Sequence, residues 1–261
     1  MNVFVLTDME GISGISDISM VMNVGTPEHY KGLRRLMADT NAAVAAAFDA
    51  GAEKVYVADG HGGGRNFIEG ELDPRAIQVR TKDMPQVIKD VQAVVAIGMH
   101  AMAGTMNAFL DHTQWSLGMH HYLYNGQRIG ELMQMAAFAG YFDVPIVALT
   151  GDRAACAEAK RFLGDGLPTA CLKEAKERNV CTCMPSADAE RLVYETVKKG
   201  VSEYERFLPL KVSLPLEITV EFNRSDYCDD AMRGRSDIER LDAYTLRSVK
   251  SEIIDYYSVL L

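Results

Sequence analysis

The chain has 261 residues, 48% of them hydrophobic and 24% charged, and a net charge of −9. That is the make-up of a globular enzyme with one large domain, or a main domain and a smaller annex. The acidic balance argues against nucleic acid as a main partner, since phosphate binding needs a basic surface. No apolar run reaches the roughly 18 residues of a membrane span.

Residues 3–7 open the chain as a buried, β-branched strand that stops abruptly at Asp8 and Glu10. Those carboxylates interrupt the first apolar run, so no signal peptide is expected, and a cytoplasmic location with reduced thiols follows. Residues 27–50 read as a helix rich in alanine and leucine, closed by Gly51. Residues 54–58, 91–97 and 144–150 read as three more buried strands. Helical patterns at 130–141 and 153–163 lie among them. Strands alternating with helices predict an α/β domain built on a parallel sheet, over residues 1–165.

The remainder, 166–261, reads as a smaller α+β domain. Residues 187–208 are helical in pattern, and Pro209 and Pro215 punctuate the connection to the next element. Residues 216–222 alternate apolar and polar, as a strand with one wet face does. A second strand is expected over 238–246 and a closing helix over 248–260. Cys181 and Cys183 form a C-x-C pair, but no second pair completes a tetrahedral zinc site. Cys156, Cys171 and Cys228 complete an odd count of five.

The chemistry gathers where the strands end. Asp8 and Glu10 follow the first strand, Asp59-Gly60-His61 the second, Gly98-Met99-His100 the third and Gly151-Asp152 the fourth. In an open parallel sheet, ligands bind outside the carboxyl ends of the strands. Asp8, Glu10, His61, His100 and Asp152 are therefore expected to converge. Two carboxylates at i and i+2 point the same way from a strand and are best tolerated with a cation between them. A histidine alone at a strand end is more often packed or solvated, and His29, His120 and His121 are read that way, His121 least firmly. The run Gly60 to Gly64 with Arg65 offers a second reading, a phosphate cradle at a helix N-terminus, but it lacks the Lys-Ser/Thr of a P-loop. On spacing alone, Glu131 reads as a first-turn glutamate complementing a helix dipole. His112 is a loop residue and a candidate acid or base.

Four motifs occur in order: Thr-Asp-Met-Glu-Gly-Ile-Ser-Gly (7–14), Asp-Gly-His (59–61), Gly-Met-His-Ala (98–101) and Gly-Glu-Leu (130–132). With them the whole chain resembles the M55 peptidases, the zinc D-aminopeptidases. The resemblance implies two zinc ions per chain, with Asp8 bridging them and Glu10, His61, His100 and Glu131 completing their shells. It implies that His112 is the catalytic histidine, and it reverses the reading of Glu131. It implies short peptide substrates with D-amino-acid N-termini, and a ring-shaped homo-oligomer, a decamer, with active sites facing an interior chamber. The surroundings of His112 depart from the family pattern at Asp111 and Trp115, and the 62–65 run is richer in glycine. Both departures lie where substrate is expected. The rival readings are a two-metal phosphoesterase and a peptide-binding module without turnover.

Overall fold

The computed structural model describes residues 1–261, apart from the side chain of Tyr257. Among the described residues the strands are β1 (Asn2–Thr7), β2 (Lys54–Asp59), β3 (Ile77–Val79), β4 (Ala93–Met99), β5 (Met119–Tyr124), β6 (Gln127–Arg128), β7 (Ile146–Asp152), β8 (Thr169–Glu177), β9 (Val180–Cys183), β10 (Leu216–Phe222), β11 (Ile238–Arg240) and β12 (Thr245–Lys250). The helices are α1 (Ser19–Met22), α2 (Pro27–Asp49), α3 (Met84–Val87), α4 (Glu131–Tyr141), α5 (Arg153–Leu163), α6 (Ser186–Ser202) and α7 (Ser225–Met232). Two sheets result. The larger has the order β3-β2-β1-β4-β7-β8-β9, and the smaller the order β11-β12-β10-β5-β6.

The larger sheet is parallel except for its edge strand β9, which turns back antiparallel on β8. Its interior strand β1 is buried along its whole length, as the all-apolar residues 3–6 suit. Alternation sends Val3 and Val5 to one face, against Val44 of α2 and Val193 of α6. Phe4 and Leu6 go to the other, against Met133 and Phe138 of α4 and Ile218 of the smaller sheet. The chain leaves β1 toward β2 on one side and returns through β4 on the other. The strand order therefore reverses beside β1, and ligand crevices form at such a switch point.

Helix α2 begins as its sequence dictates. The Thr26 hydroxyl accepts from the His29 amide at 3.2 Å, and Pro27 stands at the first helical position. It ends before Gly51, whose φ of 97° suits an αL C-terminal residue.

The α/β expectation holds, with four corrections. The sheets do not divide at residue 165: β8, β9 and α6 belong with the larger sheet, while β5 and β6 belong to the smaller one. The strand expected over 238–246 is a hairpin, β11 and β12, turned at Asp242, whose carboxylate accepts from the Tyr244 amide at 2.7 Å. The helix expected over 248–260 is absent; Ser248 lies in β12, and only a single 3-10 turn, Tyr256–Val259, comes after it. The helical pattern at 187–208 stops at Ser202, followed by the 3-10 turn Tyr204–Arg206. No helix among the described residues is long and apolar enough to cross a membrane.

Candidate metal centre

The strand ends place their side chains on one side. Asp8 and Glu10 follow β1 and His100 follows β4, and the His100 ring lies between Asp8 and Glu131, where α4 begins. Glu131 is the first residue of α4. The turn after β1 lies against the end of β4: the Asp8 amide donates to Ile97 O at 2.8 Å and the Gly11 amide to Gly98 O at 2.7 Å. Two glycines permit this. A Cβ on Gly98, where φ is 72°, would stand 2.3 Å from Asp8 O, and one on Gly11 would stand 2.2 Å from Met99 O.

Asp8, Glu10 and His100 are buried, at 6%, 3% and 3% exposure. His61 Nδ1 lies 3.2 Å from both Asp8 Oδ1 and Glu10 Oε2. On the other side, His100 Nε2 lies 3.2 Å from Asp8 Oδ2 and 3.5 Å from Glu131 Oε1. His112 Nε2 lies 3.7 Å from that same Glu131 oxygen. Asp8 thus presents one oxygen to His61 and the other to His100. The six residues that the family resemblance implies come together here, five of them lining one cavity of about 770 Å³ with His100 behind its wall.

The imidazoles are oriented by backbone. His100 Nδ1 donates to Ala101 O at 3.0 Å, and His112 Nδ1 to Leu110 O at 2.8 Å. Each bond fixes the tautomer and turns Nε2 toward the carboxylates. His100 Nε2 is buried and close to two carboxylates, yet it makes no hydrogen bond with good geometry. His100 Nε2 and these carboxylates face a common space without bonding each other, as ligands of a cation do. Two groups of donors, Asp8-Glu10-His100 and His100-His112-Glu131, each lie within 4.8 Å of one another. Mixed imidazole and carboxylate donors suit zinc, so the residues fit the metal.

The electrostatics agree. Burial opposes charge on Glu10, but the neighbouring His61, His100 and His112 hold its carboxyl well below the usual range. Burial likewise opposes charge on His61, yet Glu10 and Asp8 push its pKa up to about 11. His100 is raised in the same way by Asp8 and Glu131. Carboxylates this deep demand compensating positive charge.

Other expected residues serve structure. Asp152 does not join the cluster: its Oδ1 caps α5 by accepting from the Ala155 amide at 2.7 Å, and its Oδ2 accepts from the Phe109 amide at 2.8 Å. Asp59 accepts from the Asn66 amide at 2.6 Å and the His61 amide at 3.1 Å, so it shapes the loop that carries His61. No helix succeeds the 60–65 glycine run, which removes the phosphate-cradle reading. Asp111, at the departure from the family pattern, pairs with Arg178 Nε at 3.1 Å and accepts from the Gly104 amide at 2.7 Å. The other departure, Trp115, packs on Tyr227 with ring centroids 4.5 Å apart.

Two residues of the site carry little signal in the sequence. Lys173 of β8 is 2% exposed and donates to Glu10 O and Ile15 O, both at 2.7 Å, pinning the turn that carries Glu10. A lone lysine after an apolar run is its only mark. Gln114, with φ of 64°, donates its amide to Glu131 Oε1 at 2.8 Å, and nothing in the sequence distinguishes it.

A family model for Peptidase_M55, described as D-aminopeptidase, matches residues 1–261. A D-aminopeptidase of Bacillus subtilis (strain 168) is 29% identical over 227 residues, spanning 85% of this chain and 81% of that protein. A solved structure, the "Zn-dependent D-aminopeptidase DppA from Bacillus subtilis, a self-compartmentalizing protease", superposes with a TM-score of 0.91 at 25% identity, covering 100% of this chain and 95% of that one.

Proposed function

The chain belongs to the M55 family of D-aminopeptidases, and from that membership and the geometry of its strand-end site we propose a zinc-dependent aminopeptidase that removes D-amino acids from the N-termini of short peptides. The observation that carries this is the buried cluster itself. Three carboxylates and two histidines, Asp8, Glu10, Glu131, His61 and His100, face one space with His112 beside them.

Zinc would be held here by Asp8, Glu10, His61, His100 and Glu131, a donor set large enough for two ions. The chemistry such a metal would supply is Lewis-acid polarisation of the scissile carbonyl and a lowered pKa for a bound water. The chain's residues do the rest. Glu131, held by the Gln114 amide, and His100, held by Ala101 O, keep fixed positions. His112, whose Nδ1 donates to Leu110 O, lines the cavity and there delivers a proton to the departing amine. A cavity of about 770 Å³ holds a small peptide and excludes a folded chain. The exposed Met22, Val24 and Leu117 at its rim are apolar, which fits burial between subunits of a ring such as a self-compartmentalizing protease forms.

The test is hydrolysis of paired D- and L-amino-acid anilides, with an N-acetylated D-anilide as control. Release from the free D-substrate alone is expected. Cleavage of the acetylated substrate, or of a phenyl phosphate in its place, contradicts the reading.

A further inference from the structure

The smaller sheet carries a second imidazole–carboxylate cluster, apart from the strand ends. Glu221 of β10 stands opposite His121 of β5, and the next pair in register is Phe222 with Met119. His120 is therefore the extra residue of a β-bulge. In a regular strand, adjacent residues point to opposite faces. The bulge re-aims one of them, and the His120 and His121 rings meet edge to face with centroids 4.0 Å apart. His121 is buried, and its Nδ1 lies 2.6 Å from Glu221 Oε2. His120 is exposed and forms part of the wall of the cavity that also holds Asp8 and His112. One donor atom from each of His120, His121 and Glu221 lies within 4.8 Å of the others.

We propose that His120, His121 and Glu221 form a separate site for a divalent transition-metal ion at the wall of this cavity, with three protein ligands and its remaining positions open. Two imidazoles and one carboxylate favour zinc, nickel or copper over magnesium or calcium. Zinc with ligands about 2.1 Å away sets them roughly 3.3 Å apart. The His121–Glu221 contact opens by less than 1 Å to reach that spacing, and a donor atom of His120 already lies within 4.8 Å of the other two. The strand register supplies the rigid half of the site and the bulge supplies the third ligand. None of these residues touches the Asp8 cluster, so the site stands or falls independently of the catalytic reading.

The test titrates Co²⁺ into the chelator-treated Asp8→Ala/His100→Ala protein, in which the strand-end site is disabled. About one Co²⁺ per chain, with visible absorption of an imidazole-ligated ion, is expected. Glu221→Gln and His120→Ala in that background should each weaken binding at least tenfold. Should the double variant not fold, zinc-loaded wild-type protein serves. There, one further equivalent of metal is expected by equilibrium dialysis and should be missing in His120→Ala, whose exposed side chain is not needed for folding. Absence of any ion in the folded double variant overturns the proposal. So does an additional equivalent that persists unchanged in both His120→Ala and Glu221→Gln.

Discussion

The imidazole of His112 stacks on that of His100, with ring centroids 3.9 Å apart and planes within 12°. Both rings donate Nδ1 to backbone carbonyls, and both turn Nε2 to the same oxygen of Glu131, at 3.7 and 3.5 Å. One ring belongs to the buried donor set and the other opens on the cavity.

That division of labour predicts the behaviour of His112→Ala. Turnover should fall by about 10²- to 10⁴-fold, the usual contribution of a positioned proton-transfer group. Zinc content should stay at the wild-type level, because Asp8, Glu10, His61, His100 and Glu131 remain. Steady-state kinetics with elemental analysis of the same sample checks both halves. Near-wild-type turnover would remove His112 from the mechanism.

The strand ends are legible because a parallel sheet gathers its C-terminal ends, so Asp8, Glu10, His61 and His100 can be placed from sequence periodicity. Asp152 obeys the same rule but is consumed as a helix cap. His112 reaches the site through an irregular segment between β4 and β5, with left-handed Asn107, Leu110 and Gln114, and Glu131 only after β6, and no periodicity reports such a path. Their assignment rests on family resemblance. Strand β5 escapes a reading by alternation because the adjacent His120 and His121 break the pattern, which is the bulge itself. The C-terminal segment reads as helix because alternation in Thr245–Lys250 is short, and tertiary pairing with β10 decides its conformation.

Gly98→Ala should be among the most damaging single-methyl additions. Its Cβ meets Asp8 O at 2.3 Å, and its φ of 72° disfavours any L side chain. Strain of this kind costs on the order of 1–3 kcal/mol before the clash is counted. Urea unfolding should show at least that loss, with weakened zinc retention because the β1 turn must shift. Gly63→Ala, which has open space around it, should leave both quantities within experimental scatter.

Lys173→Met keeps length and apolar bulk but removes the ammonium that holds Glu10 O and Ile15 O. Hydrogen bonds to a charged donor are worth about 1.5–3 kcal/mol each, and two buried carbonyls are left unpaired. The burial that lowers the Lys173 pKa opposes this in part, since the variant no longer buries a charge. A net loss of roughly 2 kcal/mol and faster zinc release to a chelator are expected. Unchanged release rates would mean that the Glu10 turn is held by other contacts.

Glu158 gives the protein a pH dependence of definite sign. Burial lifts its pKa to about 7, against the Met102 amide, which favours the charged form. A carboxyl raised in the folded state contributes stability that is fully present below its unfolded pKa near 4.5 and is lost as pH rises through about 7. The gap corresponds to roughly 3 kcal/mol. Glu158→Gln should therefore gain stability relative to wild type at pH 8 and show little of that gain at pH 4.5. Urea midpoints at the two pH values, with metal content matched, check this. An equal effect at both would assign the difference to packing.

Metal content is the decisive test of a shared-carboxylate metal site at the ends of β1, β2 and β4. Protein purified without chelator and analysed for metal after removal of weakly held ions should carry about two zinc per chain. That content should fall to less than half in Asp8→Ala, with the fold retained by circular dichroism. Protein that is folded yet takes up no zinc, or an Asp8→Ala variant that keeps its full complement, would rule this site out.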